Sequence, residues 1–196
     1  MPLNCRSATT HDLAGIVEIF LACWRENYPA VLPRRLVEAM TDDRAVELWT
    51  RVLGEAAGAD ILVAESREAS GSLILGVARI AAGAHGQGII HSLYVAPHVQ
   101  GRGVGSRLLT AASDALISAG AVTAHLWVFR ENTPSVTFYR HNGWFPDGPI
   151  RVQEEFGEPE IRLATLLGRE QDGDTVVAAH GVGLGIAGLA PVGRAT

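Results

Sequence analysis

The residues with the clearest chemical content are Gln100-Gly101-Arg102-Gly103-Val104-Gly105-Ser106. Glycines at alternate positions let a backbone turn tightly and approach a ligand closely. A strand-like run, Leu93-Tyr94-Val95-Ala96-Pro97, precedes them, and apolar residues at helical spacing follow at Val104, Leu108, Ala112 and Leu116. A glycine loop that opens a helix aims several unpaired N–H groups at one point, at the positive end of the helix dipole. That is an anion site, and pyrophosphate is the anion it suits best.

Two familiar nucleotide loops fail here. A Walker loop needs a Lys after its last glycine, and none stands in that place. A dinucleotide fingerprint fits Gly101-Arg102-Gly103 but meets Ser106 where the third glycine belongs, and no acidic residue follows to hold a ribose.

The elements that must position the loop are legible as patterns. A short strand is expected around residues 4–8, then a capping box, Thr9 to Asp12, with Asp in the Glu/Gln place. Leu13, Ile16, Val17, Phe20, Cys23 and Trp24 trace an amphipathic helix that ends near Tyr28-Pro29. A second helical region covers residues 33–57, broken near residues 41–43. Residues 60–65 and 73–80 read as a β-hairpin, followed by a loop at 84–88 and a strand at 89–95. Gly120 stops the loop's helix, and residues 122–129 return as a strand parallel to 89–95. Thr133 is the expected cap of the next helix, Pro134 fits its first position, and Gly143 closes it. A turn at residues 146–149 and a strand at 160–167 follow. This order predicts one α/β sandwich with a mixed sheet, over residues 1–168. Residues 169–196 are glycine-rich and are expected to form a flexible tail.

Composition narrows the function classes. At 196 residues, 47% hydrophobic, 19% charged and a net charge of −5, the chain has a globular profile with no basic stripe for nucleic acid. No run is long enough to span a membrane. Cys5 and Cys23 lack metal or redox spacing, so no metal is expected. The N-terminus has no signal-peptide core, which makes the cytoplasm the expected location.

Gln100-x-x-Gly103-x-Gly105 resembles the pyrophosphate loop of the GNAT family of acetyl-CoA-dependent N-acetyltransferases. Leu93-Tyr94-Val95 looks like that family's fourth strand and Leu126-Trp127-Val128 like its fifth. Asn132, Phe138-Tyr139 and Gly143-Trp144 resemble its second cofactor motif. The resemblance covers roughly residues 5–167.

It implies a mostly antiparallel sheet with splayed central strands, and acetyl-CoA as co-substrate. Backbone groups of Leu93, Tyr94 and Val95 would hold the pantetheine arm, residues 100–106 the pyrophosphate, and Asn132, Ser135 and Tyr139 would lie against the cofactor. Arg102 and Arg107 are phosphate ligands or solvated surface charges. Tyr139 is the implied acid for the leaving thiolate, since a phenol titrates near ~10 and keeps its proton at neutral pH. His91 is the candidate base, with His125, Glu131 or a water chain as alternatives. A backbone N–H, that of Val95, would meet the oxyanion.

The acceptor is a small-molecule or peptide amine, with Trp24 and Tyr28 as candidate pocket residues, otherwise core. Glu26, Glu154 and Glu155 are further candidates. A homodimer is compatible with the family. The competing reading is a non-catalytic acyl-CoA-binding or regulatory domain of the same fold.

Overall fold

Two strands decide the shape of the sheet by parting company. In the computed structural model, which describes residues 3–55, 60–68 and 71–168, β4 (Gln87–Val95) and β5 (Thr123–Phe129) run parallel but pair only from Gln87–Thr123 to Ile90–Leu126. Beyond Ile90 they diverge. The other strands are β1 (Leu3–Ser7), β2 (Ile61–Glu68), β3 (Gly71–Ala82), β6 (Phe145–Pro146), β7 (Arg151–Gln153) and β8 (Glu158–Leu166). Their order is β1-β2-β3-β4-β5-β8-β6, with β7 on β8, and every pairing except β4–β5 is antiparallel. The mixed, mostly antiparallel sheet with splayed central strands is therefore present. The expected tail, residues 169–196, lies outside the described residues.

The helices are α1 (Leu13–Glu26), α2 (Arg34–Ala39), α3 (Asp42–Glu55), α4 (Val104–Ser118) and α5 (Thr133–His141). Helix α4 lies tight on one face of the sheet. A Cβ at Gly88 would meet Leu116 at 2.9 Å, and one at Gly76 would meet the Tyr94 carbonyl at 2.9 Å and Leu108 at 3.2 Å. Tyr94 alternates to the opposite face. There its ring packs on Phe20 of α1 (5.3 Å) and Trp49 of α3 (6.3 Å).

Three details depart from the sequence reading. Asn132, not Thr133, caps α5: its side-chain oxygen accepts from the Ser135 N–H at 3.2 Å, which puts Thr133 and Pro134 in the first turn. The strand before the glycine loop starts at Gln87, inside the expected loop. The region after Trp144 contains two short strands, β6 and β7, each paired antiparallel with β8. The Asp12 carboxylate does accept from the Thr9 N–H, at 2.7 Å, and also takes both Arg6 Nη groups at 2.8 Å.

Candidate active site

The backbone at the fork is chemically specific. Ala96 N–H donates to the Leu75 carbonyl at 2.9 Å, so Val95 and Gly76 form a non-hydrogen-bonded pair. By ladder alternation the Tyr94 backbone bonds β3, whereas Leu93 and Val95 turn their N–H and C=O groups toward the gap. Of the three residues expected to bind a pantetheine arm by their backbone, only these two offer it.

The Val95 carbonyl is already engaged. Gln100 Nε2 donates to it at 2.9 Å, and the buried Cys23 thiol, which burial pushes up to about 12, donates at 3.3 Å. Gln100 thus fastens the loop to the end of β4. What remains open in the gap is the Leu93 amide, with donor and acceptor, and the Val95 N–H.

The loop above the gap is built for an anion. Gly101 (φ 74°) and Gly103 (φ 80°) occupy the left-handed region that side chains disfavour, and Gly103 caps α4. The first bond back to that cap comes from Arg107 N–H, at 3.1 Å, so the N–H groups of Val104, Gly105 and Ser106 have no intrahelical acceptor. Arg102 is exposed beside them. Arg107 is committed elsewhere: its guanidinium donates to the Leu3 carbonyl at 3.2 Å.

Tyr139 approaches from the β5 side. It is fully buried against Phe138 and Trp144 (ring centroids 5.1 and 6.1 Å). Its hydroxyl has no hydrogen-bond partner among the described residues. Burial alone holds the phenol well above its ordinary range. Tyr94 is pushed up the same way by burial, with Cys23 and Tyr139 adding to the shift. Asn132 and Ser135, both buried, serve the first turn of the helix that carries Tyr139.

His91 falls on a β-bulge. The β3–β4 register jumps from Arg79–Ser92 to Ile80–Ile90, leaving His91 as the extra residue. It lines a void of about 20 Å³ with Trp49, Ser92 and Arg79, room for one water. Burial, then the Arg79 and His125 charges, lower it to about 4. At neutral pH it is an uncharged imidazole. His125 stands on β5 at the closed end of the fork and is also lowered, while Glu131 is exposed beside Arg130 at 3.1 Å.

Trp24 and Tyr28 stack at 4.9 Å and are 1% and 0% exposed. Phe20 and Phe156 pack beside Trp24 in the same buried aromatic cluster. Glu26, Glu154 and Glu155 are exposed. The sequence reading missed Glu160, a fully buried carboxylate on β8. No local signal marks it, because Glu158 and Arg162 stand in the same strand.

An extended ligand that pairs with an open strand edge and ends in an anion at a helix N-terminus is what this fork accommodates. The fold is that of the acetyltransferases. The chain belongs to the acetyltransferase (GNAT) family, whose model matches residues 13–144. A mycothiol acetyltransferase from Clavibacter sepedonicus is 34% identical over 125 residues, 61% of this chain and 36% of that protein. The chain thus spans about a third of that relative's length.

Among solved structures, PaiA N-acetyltransferase from Thermoplasma acidophilum, in complex with coenzyme A, aligns with TM-score 0.63 and 18% identity. That alignment covers 85% of this chain and 99% of that one. YncA, a putative acetyltransferase from Salmonella typhimurium with its cofactor acetyl-CoA, aligns with TM-score 0.61 and 21% identity, over 89% and 99% of the two chains.

Proposed function

We propose that this chain moves an acetyl group from acetyl-CoA to a primary amine by direct attack. The observation that carries the reading is the forked edge: Leu93 and Val95 face an open gap directly below a glycine-opened helix N-terminus. Solved relatives of the same fold hold coenzyme A or acetyl-CoA, which supports acetyl-CoA as the co-substrate here. An extended pantetheine would add to β4 as a short strand, and N–H groups of residues 101–106 would meet the diphosphate.

Acetyl-CoA supplies an activated acyl carbon. The amine lone pair forms the C–N bond and the carbonyl becomes an oxyanion, which the Val95 N–H stabilises. The nitrogen, made acidic by the new C–N bond, sheds one proton to water, which later restores the Tyr139 phenol, and collapse breaks the C–S bond. Tyr139 then donates its hydrogen to the departing sulfur; a phenol raised by burial keeps that proton in the resting enzyme.

The amine's own proton is the harder problem, and magnitudes decide it. Moving a proton from an alkylammonium (pKa near ~10.4) to an imidazole at about 4 costs roughly 9 kcal/mol. Binding the small neutral fraction present at pH 7 costs only about 4.6 kcal/mol. His91 is therefore a hydrogen-bond acceptor for amine or water, not the proton's resting place, and the amine enters neutral. The rate with saturating acetyl-CoA then rises tenfold per pH unit toward the amine's own pKa, with no descending limb from His91 above about pH 5.

Mass-spectrometric detection of acetyl transfer from acetyl-CoA to pooled amines and peptides tests the function. Tight CoA binding with no transfer to any acceptor would establish the non-catalytic alternative instead.

A further inference from the structure

The acyl-transfer scheme leaves one buried ionisable group unused. Glu160 is 0% exposed and stands on β8 directly opposite Phe129 of β5 and Arg151 of β7. Its Oε2 accepts from Arg151 Nε at 2.9 Å and lies 2.9 Å from Nη2. Its other oxygen, Oε1, is buried without a partner among the described residues. Leaving a charged oxygen buried and bare is costly. A fold that retains such an atom has a use for the donor that would complete it.

The surroundings say what kind of donor. Phe129 meets Phe156 at 5.7 Å, Phe156 meets Trp24 at 6.0 Å, and Trp24 stacks on Tyr28. Next to this aromatic wall, the Arg151 guanidinium lies 3.9 Å over the Trp127 ring while it pairs with Glu160. The protein thus already holds one cation between an indole face and this carboxylate, which is the chemistry that recognises an alkylammonium. Trp127, Phe129 and Glu160 share the sheet face of Tyr94, opposite α4. That leaves the α4 face to the anion loop.

Position sets which nitrogen it would be. Ile90 is level with Leu126, so Phe129 and its partner Glu160 stand level with the Leu93–Tyr94 stretch where the acyl group would lie. Glu160 is one strand further from the gap than β5, roughly 4.8 Å in strand spacing. An acceptor that reaches from the gap to Glu160 must span at least that distance.

Resting on the acetyl-transfer reading, we infer that Glu160 Oε1 binds a second, cationic nitrogen of the acceptor. The acceptor class is then a diamine or longer polyamine, acetylated at one end and held at the other. Burial raises the Glu160 carboxyl and Arg151 opposes that shift through Oε2, which leaves Oε1 for the ligand.

The test is a set of four-carbon acceptors on the full chain with saturating acetyl-CoA: the diamine, butylamine, aminobutanol and aminobutanoate. A charge-assisted hydrogen bond predicts that the diamine exceeds butylamine in kcat/KM by on the order of ten- to a hundredfold. The ranking should be diamine, then neutral amines, then the amino acid. If Arg151 were the recognising group, aminobutanoate would lead, and that ranking would overturn the inference. Glu160→Gln should bring the diamine-to-butylamine ratio to about one through the diamine's KM. The butylamine rate and acetyl-CoA affinity should change less than the diamine's KM. A diamine preference that survives Glu160→Gln, or a wild-type protein without the preference, refutes the site. Wild type that acetylates no amine at all refutes the transfer reading beneath it instead.

Discussion

Replacing Tyr139 with phenylalanine removes one oxygen and should move stability and turnover in opposite directions. In the ligand-free protein the hydroxyl is fully buried and unpartnered among the described residues, so its loss forfeits no protein hydrogen bond. Removing a buried, unsatisfied polar atom from a shape-conserved site is neutral to stabilising, by about 1 kcal/mol. For a chain of this size that raises Tm by roughly 2–4 °C.

Turnover should fall about a hundredfold, roughly 2.7 kcal/mol of barrier, because the departing sulfur loses its hydrogen donor. Acetyl-CoA affinity should stay within about twofold. The loss should be constant across neutral pH, since burial holds the phenol above that range. Thermal unfolding, calorimetric binding of CoA, and single-turnover release of free thiol read the three quantities separately. A variant several degrees less stable would mean that the hydroxyl has a structural partner. Unchanged single-turnover chemistry would remove Tyr139 from the reaction.

Two further perturbations address the frame around the site. At Gly103 an added Cβ meets nothing within 4 Å, but the backbone sits at φ +80°, so Gly103→Ala strains conformation without a clash. It should cost about 1–2 kcal/mol and, by turning the loop amides, weaken acetyl-CoA binding roughly tenfold; equal affinity by titration would argue against the anion cradle. The Arg6 guanidinium lowers the Asp12 carboxyl to about 2 from an ordinary value near 3.8. Its folded-state value is depressed, so its contribution of roughly 2 kcal/mol is present above pH 4 and is lost as pH falls from about 4 to about 2. Asp12→Asn should lower Tm at neutral pH and flatten the pH dependence of unfolding in that window; an undiminished slope would show that other carboxylates carry it.

Much of the donor side was legible from residue types because it depends on local rules. Positive φ at Gly101 and Gly103 needs glycine, and apolar spacing from Val104 to Leu116 needs a helix. A cap depends on which side chain reaches the third N–H, so Asn132 and Thr133 were hard to separate by pattern. The acceptor side was less readable. Strands of two and three residues, such as β6 and β7, carry no period, and their pairing with β8 depends on long-range contact. Glu160 is buried there by Phe129 and Arg151, neighbours in register but far from it or separated by a turn in sequence. Burial likewise changed the meaning of residues already noticed. His91 is moved far below an ordinary histidine, and Trp24 and Tyr28 sit inside a buried aromatic cluster.

The divergence of β4 from β5 gives the sheet a raw edge in its middle. Proteins usually blunt an outer edge with charge, proline or a bulge, because an unpaired ladder recruits other chains. Here the bulge at His91 and the double capping of the Val95 carbonyl by Gln100 and Cys23 shield part of that edge. The Leu93 amide and the Val95 N–H still await a partner. A molecule seated in the gap would therefore act as a missing strand, closing an eight-stranded sheet whose two halves otherwise meet along only four residue pairs.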